Sequence, residues 1–398
     1  MSRSSLAGRI TIPIAKRSHI ESQDSMVNAR YLTSHIRRVG QKIRRGLKRL
    51  QSSGAPSIPL STSAKCSLSR KPRGTQELDE EEDVLWQGII SVGTPPVQYT
   101  VDLDTGSSDL ILPGIDCDEN CQGHNLYDPS KSSTSEDSDK TFGVAFGDGS
   151  TVDGVQMIDT VAIAGLTVTS QALGVATQYS AGFSPSAFSP DGLLGMAFPQ
   201  ISALDAEPLF QTLVSENQTV EPIFAFKLGS SGSQLTLGGV DESQFQGPMT
   251  QVPVTTVGFW QVDLDAVSVN GHAAVTASSA IFDTGTTLIL GSSHDVGQLY
   301  AAIPGAADAS ATMGSGFFTL PCNQTPDVTF TFGGAEFPLS ADTFNLGKVS
   351  PGSSTCVGGI VASDIDSRCF WILGDVFLQN VYASFNVGNL SVGLAALA

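Results

Sequence analysis

The sequence predicts an all-β body of two related lobes behind a basic, partly helical N-terminal arm. Three observations carry this reading. From Trp86 onward, short apolar runs alternate with Gly, Ser, Asp and Pro, and few segments keep a 3.6-residue period. Asp104-Thr105-Gly106-Ser107 is echoed 179 residues later by Asp283-Thr284-Gly285-Thr286, each set between apolar runs. Charge is sharply divided: residues 1–76 hold 16 Lys and Arg against 2 Asp and Glu, and the rest hold 5 against 37.

Taken in order, residues 1–20 contain no apolar core long enough for a secretory signal, since Ile10 to Ala15 is short and broken by Pro13. No stretch is long enough to span a membrane. A helix is predicted over 27–50, where Leu32, Ile36, Val39, Ile43, Leu47 and Leu50 recur at steps of three and four. Lys and Arg fill most other positions there. A basic arm before an acidic body is a solvated tail, a nucleic-acid or membrane arm, or an intramolecular latch; the complementary field of the body favours the latch. Residues 51–83 read as a Ser/Pro linker ending in an acidic run, a composition that suits a processing region. Strands are predicted at Tyr99 to Leu103, Val155 to Ile163, Gln234 to Leu237, Phe259 to Val269 and Val328 to Phe332. Ala206 to Glu216 and Ser293 to Ile303 are the helical segments of the body.

A carboxylate between two apolar strands, followed by Thr and Gly, suggests a tight loop that presents the Asp while its neighbours hydrogen-bond it. The glycine of Asp191-Gly192-Leu193-Leu194-Gly195 and that of Trp371-Ile372-Leu373-Gly374 repeat the same 179-residue offset. Two motif types at one offset argue for a duplicated lobe. With Gly88-Ile89-Ile90-Ser91-Val92-Gly93-Thr94-Pro95-Pro96 and Trp371 to Phe377, these motifs make the chain resemble the pepsin-like aspartic peptidases of the fungal secreted kind, in zymogen form, from about Trp86 to Ala398. The resemblance implies the bilobal pepsin-like acid protease fold, with a central cleft between two pseudo-twofold-related β lobes. The expected division is a propeptide at 1–76, a first lobe at about 77–260 and a second at 261–398. Ile12-Pro13-Ile14-Ala15-Lys16-Arg17 resembles the opening of fungal propeptides, and maturation is expected between Arg73 and Leu78.

The resemblance assigns Asp104 and Asp283 as the catalytic pair, with Thr105, Gly106, Ser107, Thr284, Gly285 and Thr286 orienting it. Two carboxylates brought close share one proton; the pair then activates water against a peptide bond at acidic pH, with no cofactor and no metal. The flap maps to Thr141 through Asp159, with Phe146-Gly147-Asp148-Gly149-Ser150 at its tip. Here the chain departs from the family, in which Tyr usually stands at Phe146 and Trp at Ile111; their joint loss suggests a repacked apolar flap. Asp148 and Asp102 map as carboxylates facing or near the cleft; the resemblance to fungal relatives implies that the acidic flap residue, Asp148, accepts Lys before the cut bond, and Asp148 as a turn cap is the competing reading. The propeptide should close the cleft through Lys and Arg contacts to body carboxylates. Lys48 is one candidate for reaching the dyad among several cations.

The family's disulfides map to Cys117–Cys121 and Cys322–Cys356. Cys66 and Cys369 are left over; Cys369 is read as a buried free thiol, with a Cys66–Cys369 bond as the alternative. Asn217, Asn323 and Asn389 begin sequons. Disulfides and sequons suit an extracellular or vacuolar setting, and a sequence lacking its native first residues reconciles this with the missing signal. Polypeptide substrates, the chain's own propeptide as inhibitor, and a monomer without nucleic-acid or membrane partners are expected. The Asp102-Leu103-Asp104 spacing superficially resembles the DxD loop of haloacid-dehalogenase-type phosphotransferases, but that class needs strand–helix alternation. A pepsin-like binding module without catalysis is the rival from another class.

Overall fold

The computed structural model describes residues 9–17, 27–53, 85–117, 119–145, 151–229, 231–324, 326–365 and 369–398. Its first strands belong to the arm: β1 (Ile10–Pro13) and β2 (Ala15–Arg17). They are followed by helix α1 (Ala29–Ser52). Asn28 caps α1, its side chain accepting the Tyr31 N–H. Leu32, Val39, Ile43, Leu47 and Leu50 are buried as the periodicity predicts, and Ile36 is half-buried.

The body begins with β3 (Leu85–Val92), β4 (Val97–Asp104) and β5 (Leu110–Pro113). A long hairpin follows, β6 (Glu136–Ala145) and β7 (Thr151–Ile163), then β8 (Leu166–Tyr179) and β9 (Gly192–Gly195). These form an eight-stranded sheet in the order β2-β3-β4-β9-β5-β8-β7-β6, and β7 pairs again with β3. Val101 and Leu103 of β4 are fully buried, as expected for an inner strand covered on both faces.

A thirteen-stranded sheet holds the rest of the body's main strands, with a separate four-stranded sheet at 307–308, 318–321, 345–348 and 355–358. The predicted strands at Gln234–Leu237 and Val328–Phe332 and the short helices Leu209–Ser215 and Ser293–Ala301 are present. Strands 223–227 and 234–237 pair with each other, 223–227 also pairs with 381–386, and 245–256 pairs with 391–397 and with 261–269; none of them pairs with the eight-stranded sheet. Phe224, Phe385 and Trp260 pack ring to ring in this layer, and the buried Trp260 Nε1 donates to Met196 O at 3.0 Å.

The sequence repeat is a repeat of topology. β4 runs parallel to β9, with Asp104 opposite Gly195, and β5 is antiparallel to β9 and parallel to β8. In the same way 272–282 runs parallel to 371–373, and 289–291 is antiparallel to 371–373 and parallel to 360–362. The closing glycines are required by contact. A Cβ on Gly195 would lie 2.4 Å from the Ser108 backbone, and one on Gly374 would lie 2.0 Å from Thr286 O.

The arm is stitched to both sheets, which the sequence did not announce. β1 pairs with 234–237, Ile10 opposite Leu237, and β2 pairs with β3, Ala15 opposite Gln87. Pro13 ends β1, at the rim of the sheet, where a missing donor is tolerated.

Cys117–Cys121 and Cys322–Cys356 are disulfides. Cys369 is also disulfide-bonded, which corrects its reading as a free thiol; no described cysteine is free. Cys66 and the maturation segment lie outside the described residues. The three sequon asparagines are exposed. Among the described residues no helix is long and apolar enough to cross a membrane.

Candidate active site

The loops after β4 and after the strand His272–Phe282 meet across the molecule and grip each other. Thr105 N donates to Thr284 Oγ1 at 2.9 Å, and Thr284 N donates to Thr105 Oγ1 at 3.0 Å. Each hydroxyl also donates to the opposite strand: Thr105 Oγ1 to Phe282 O, and Thr284 Oγ1 to Leu103 O. The amide N–H and the hydroxyl of each residue of this buried pair are thereby used.

The two carboxyls are held alike. Asp104 Oδ1 accepts the Gly106 N–H at 2.8 Å and its Oδ2 accepts the Ser107 hydroxyl at 2.6 Å. Asp283 Oδ1 accepts the Gly285 N–H at 3.0 Å and its Oδ2 accepts the Thr286 hydroxyl at 2.7 Å. Glycine is needed because the loops are crowded: a Cβ on Gly106 would lie 2.5 Å from the Asp283 carboxyl, and one on Gly285 2.4 Å from Asp104 Oδ1. The eight sequence candidates of the two loops are thus one constellation.

Its electrostatics are asymmetric. Burial pushes the Asp104 carboxyl up, but the Lys42 ammonium and the Ser107 hydroxyl outweigh it and leave it below the usual carboxylate range. Asp283, with no exposed surface, is held above that range by burial and by the Asp104 charge, which together outweigh Lys42. One carboxyl therefore keeps its charge where the other keeps a proton.

Two recesses flank the pair. One, of about 40 Å³, is lined by Asp102, Phe183, Phe188 and Leu193, and the arm's Arg38 reaches it. The other, of about 50 Å³, is lined by Ser107, Asp109, Ile111, Val144 and Ile201. Asp102 is buried in the first, so the structure brings it to the cleft. Ile111 is buried in a cluster with Phe142, Val144, Val152 and Phe183 beneath the β6–β7 hairpin, an apolar base for that hairpin. Its register ends at Ala145 opposite Thr151; Phe146, Gly147, Asp148, Gly149 and Ser150 lie outside the described residues.

The cleft is filled by α1. Lys42 Nζ donates to Asp104 Oδ1 at 2.9 Å and to Asp283 Oδ1 at 2.8 Å. Lys48 is exposed and is not the residue that reaches the dyad. The helix turns His35, Val39, Lys42 and Gly46 toward the cleft, a 4-3-4 stripe beside the apolar seam that could have singled out Lys42. The expectation of contacts to carboxylates holds only in part. Arg44 donates to the carbonyls of Ile365 and Asp364, and Arg49 donates to Ser202 O at 2.7 Å as well as facing Asp205 at 3.4 Å. Burial, with Arg49 nearby, lowers the Arg45 guanidinium to about 10.

Gly46 allows the close approach of α1. A Cβ there would lie 2.2 Å from Cζ of the fully buried Phe259. Gly46→Ala is expected to loosen the arm despite alanine's better helix propensity. Limited proteolysis at neutral pH should cut the variant arm at least about tenfold faster, matching 1–3 kcal/mol of overpacking; equal rates would contradict the packing argument.

A buried contact that the sequence reading missed supports the second loop. Trp86 Nε1 donates to Asp375 Oδ1 at 2.6 Å, and Asp375 N donates to Thr286 O at 2.8 Å. Asp375 lies in the Trp371 to Phe377 signature and Trp86 just before the Gly88 to Pro96 one, but nothing in their spacing shows that they meet. Among the described residues no group of three or more His, Cys, Asp or Glu could hold a metal ion.

Two matched Asp-Thr-Gly loops from duplicated β layers, meeting carboxyl to carboxyl in a cleft, define an aspartic-type peptidase. The family model for eukaryotic aspartyl protease matches residues 86–397, and the chain belongs to that family. It is 41% identical over 333 residues to an aspartic protease of Phaffia rhodozyma, covering 82% of this chain and 80% of that one. It is 35% identical over 335 residues to pepsin A of Suncus murinus (81% and 84%) and 36% identical over 344 residues to cathepsin E-A of Xenopus laevis (83% and 83%). The fold is the bilobal pepsin-like one, and the protein is an aspartic-type endopeptidase.

Proposed function

We propose that this chain is the zymogen of an acid-acting endopeptidase in which Asp104 and Asp283 jointly activate water. The observation that carries this is the bridge of Lys42 Nζ to both inner carboxylate oxygens, a polar occupant that spans the pair as a shared water would. In the open enzyme the ionised member takes a proton from water, and the water oxygen attacks the peptide carbonyl carbon. The protonated member donates to the carbonyl oxygen, giving a gem-diol. A proton then passes to nitrogen, the C–N bond breaks, and an acid and an amine leave. The two carboxyls act as a coupled pair without fixed labels. Gly106 N–H, Gly285 N–H and the Ser107 and Thr286 hydroxyls hold them in place.

The dyad contributes no nucleophile of its own to a covalent intermediate. Cleavage in the presence of hydroxylamine should therefore yield the free acid alone, by mass spectrometry of the products. A hydroxamate product would show an acyl-enzyme and overturn the water mechanism.

The substrate binds extended, its backbone paired with the hairpin strands, and large hydrophobic residues on either side of the cut suit the apolar recesses. Asp102 at the base of one recess, which Arg38 of the arm already reaches, supports acceptance of Lys before the cut. Asp102→Leu should lower kcat/KM for a Lys peptide by about tenfold or more relative to its Leu counterpart. Equal losses on both would reject this role.

The arm of residues 1–76 is read as the propeptide, with lobes at about 77–260 and 261–398 sharing the sheet formed by 223–256 and 381–397. Its cations lie against the body, which supports a latch over a nucleic-acid or membrane function. The enzyme is proposed to be a secreted or vacuolar monomer acting on polypeptides.

A further inference from the structure

We propose that His35 is an acid-sensing catch of the arm: its unprotonated ring accepts the backbone N–H of Thr287 beside the dyad loop, and protonation of the ring frees the helix from the cleft. This rests on the reading of the arm as an inhibitor. Thr287 N lies 3.0 Å from His35 Nε2, and the ring is 2% exposed. An amide N–H can only donate, so the docked Nε2 carries no hydrogen and the neutral ring's proton sits on Nδ1. Protonation would set two N–H groups against each other in a buried contact.

The described surroundings hold charges of both signs. On its own helix the ring has Arg38 one turn away and Lys42 two turns away in the same recess, both positive, and the Tyr31 ring stacks at 6.1 Å. From the body, Asp102 and Asp104 share the recess, and Asp283 is reached through Lys42. Asp104 and Asp283 already face the Lys42 ammonium, and Asp102 sits at the recess that Arg38 reaches. On this geometry release of the arm takes up one proton at His35, so it is favoured as pH falls through the histidine range, near about 6.5.

The Asp104 contribution gives way lower in pH than the histidine range. The depressed Asp104 supports docking above the ordinary carboxylate range and gives way only as pH falls through its lowered value. Asp283 is held above the usual range by burial and by the Asp104 charge, with Lys42 opposing, and the His35→Gln variant below separates its titration from that of His35. The stitched β1 and β2 have no such group in the described contacts with 234–237 and β3.

The test is a pH jump on the full chain, with arm release read as the rate of binding of fluorescent pepstatin and normalised to the processed protein at each pH. Wild type should release about tenfold faster per pH unit below about pH 6, with little change above about pH 6.5. His35→Gln keeps an acceptor that does not titrate; its release should stay flat to about pH 4.5 and be at least about tenfold slower than wild type at pH 5.5. Lys42→Met serves as the control for the latch itself. If it opens at neutral pH while His35→Gln follows the wild-type profile, the latch stands and the catch is overturned. If neither acid nor Lys42→Met opens the cleft, the zymogen reading falls and the catch with it. Should His35→Gln not fold, histidine NMR of the wild-type chain decides: His35 must stay neutral until the cleft opens, and a protonated ring in the closed chain overturns the proposal.

Discussion

Asp283→Asn should leave a folded protein that has lost peptide hydrolysis, with kcat down by about 10³–10⁴-fold at acidic pH. The substitution is nearly isosteric: the Gly285 N–H keeps an oxygen acceptor, and the Thr286 hydroxyl can turn to accept from the new amide. What is lost is one of the two carboxyls that together activate water and protonate the carbonyl oxygen. Asp104→Asn should fall equally far for the same reason. Quenched-peptide kinetics with thermal melting would separate chemistry from folding. A melting point near wild type with activity within tenfold of it would mean that the pair does not act as argued.

Lys42→Met should open the cleft without acid. Breaking a buried ion pair costs about 3–5 kcal/mol when a partner charge is stranded. Here the two carboxyls recover part of that by sharing a proton, so the expected rise in open form is about 10²-fold. The pH dependence has a definite sign. Burial opposes the Lys42 charge, but both carboxylates outweigh it and hold the ammonium above its ordinary value. Its contribution is therefore present through the acid and neutral range and fades only in strong base. Asp104 works the other way: its share is present above the ordinary carboxylate range and is lost as pH falls through its lowered value. The wild-type chain should thus bind pepstatin poorly at neutral pH and well after acidification, whereas Lys42→Met binds at both. A variant as closed as wild type at pH 7 would show that β1, β2 and the apolar face of α1 suffice for closure.

The dyad loops were legible in the sequence because their requirements are local. Gly106 and Gly285 face the opposite carboxyl, Gly195 and Gly374 face backbone, and no other residue fits. Helix α1 was legible through the spacing of Leu32, Val39, Ile43 and Leu47, which is what burial of one face demands. The arm's strands were not, because Thr11 meets Thr236 across 225 residues and four residues of alternating polarity carry little signal alone. The choice of Lys42 over Lys48 depends on how α1 is rotated in the cleft. That rotation is set by Phe259 seating on Gly46 and by Ile365 near Gly40, residues distant in sequence. The bond from Thr287 to His35 has the same character, a partnership fixed only by docking. Cys369 was misread because odd pairing near a linker leaves its partner open in the sequence.

The most direct test of the account is the hydrolysis of a quenched hydrophobic peptide by the acid-processed protein across pH 2.5 to 7, with and without pepstatin. The account predicts acid-dependent cleavage that pepstatin abolishes. Folded, fully processed protein that is silent across this range would contradict it and point to a peptide-binding module, with Ile111 and Phe146 the first positions to restore to Trp and Tyr.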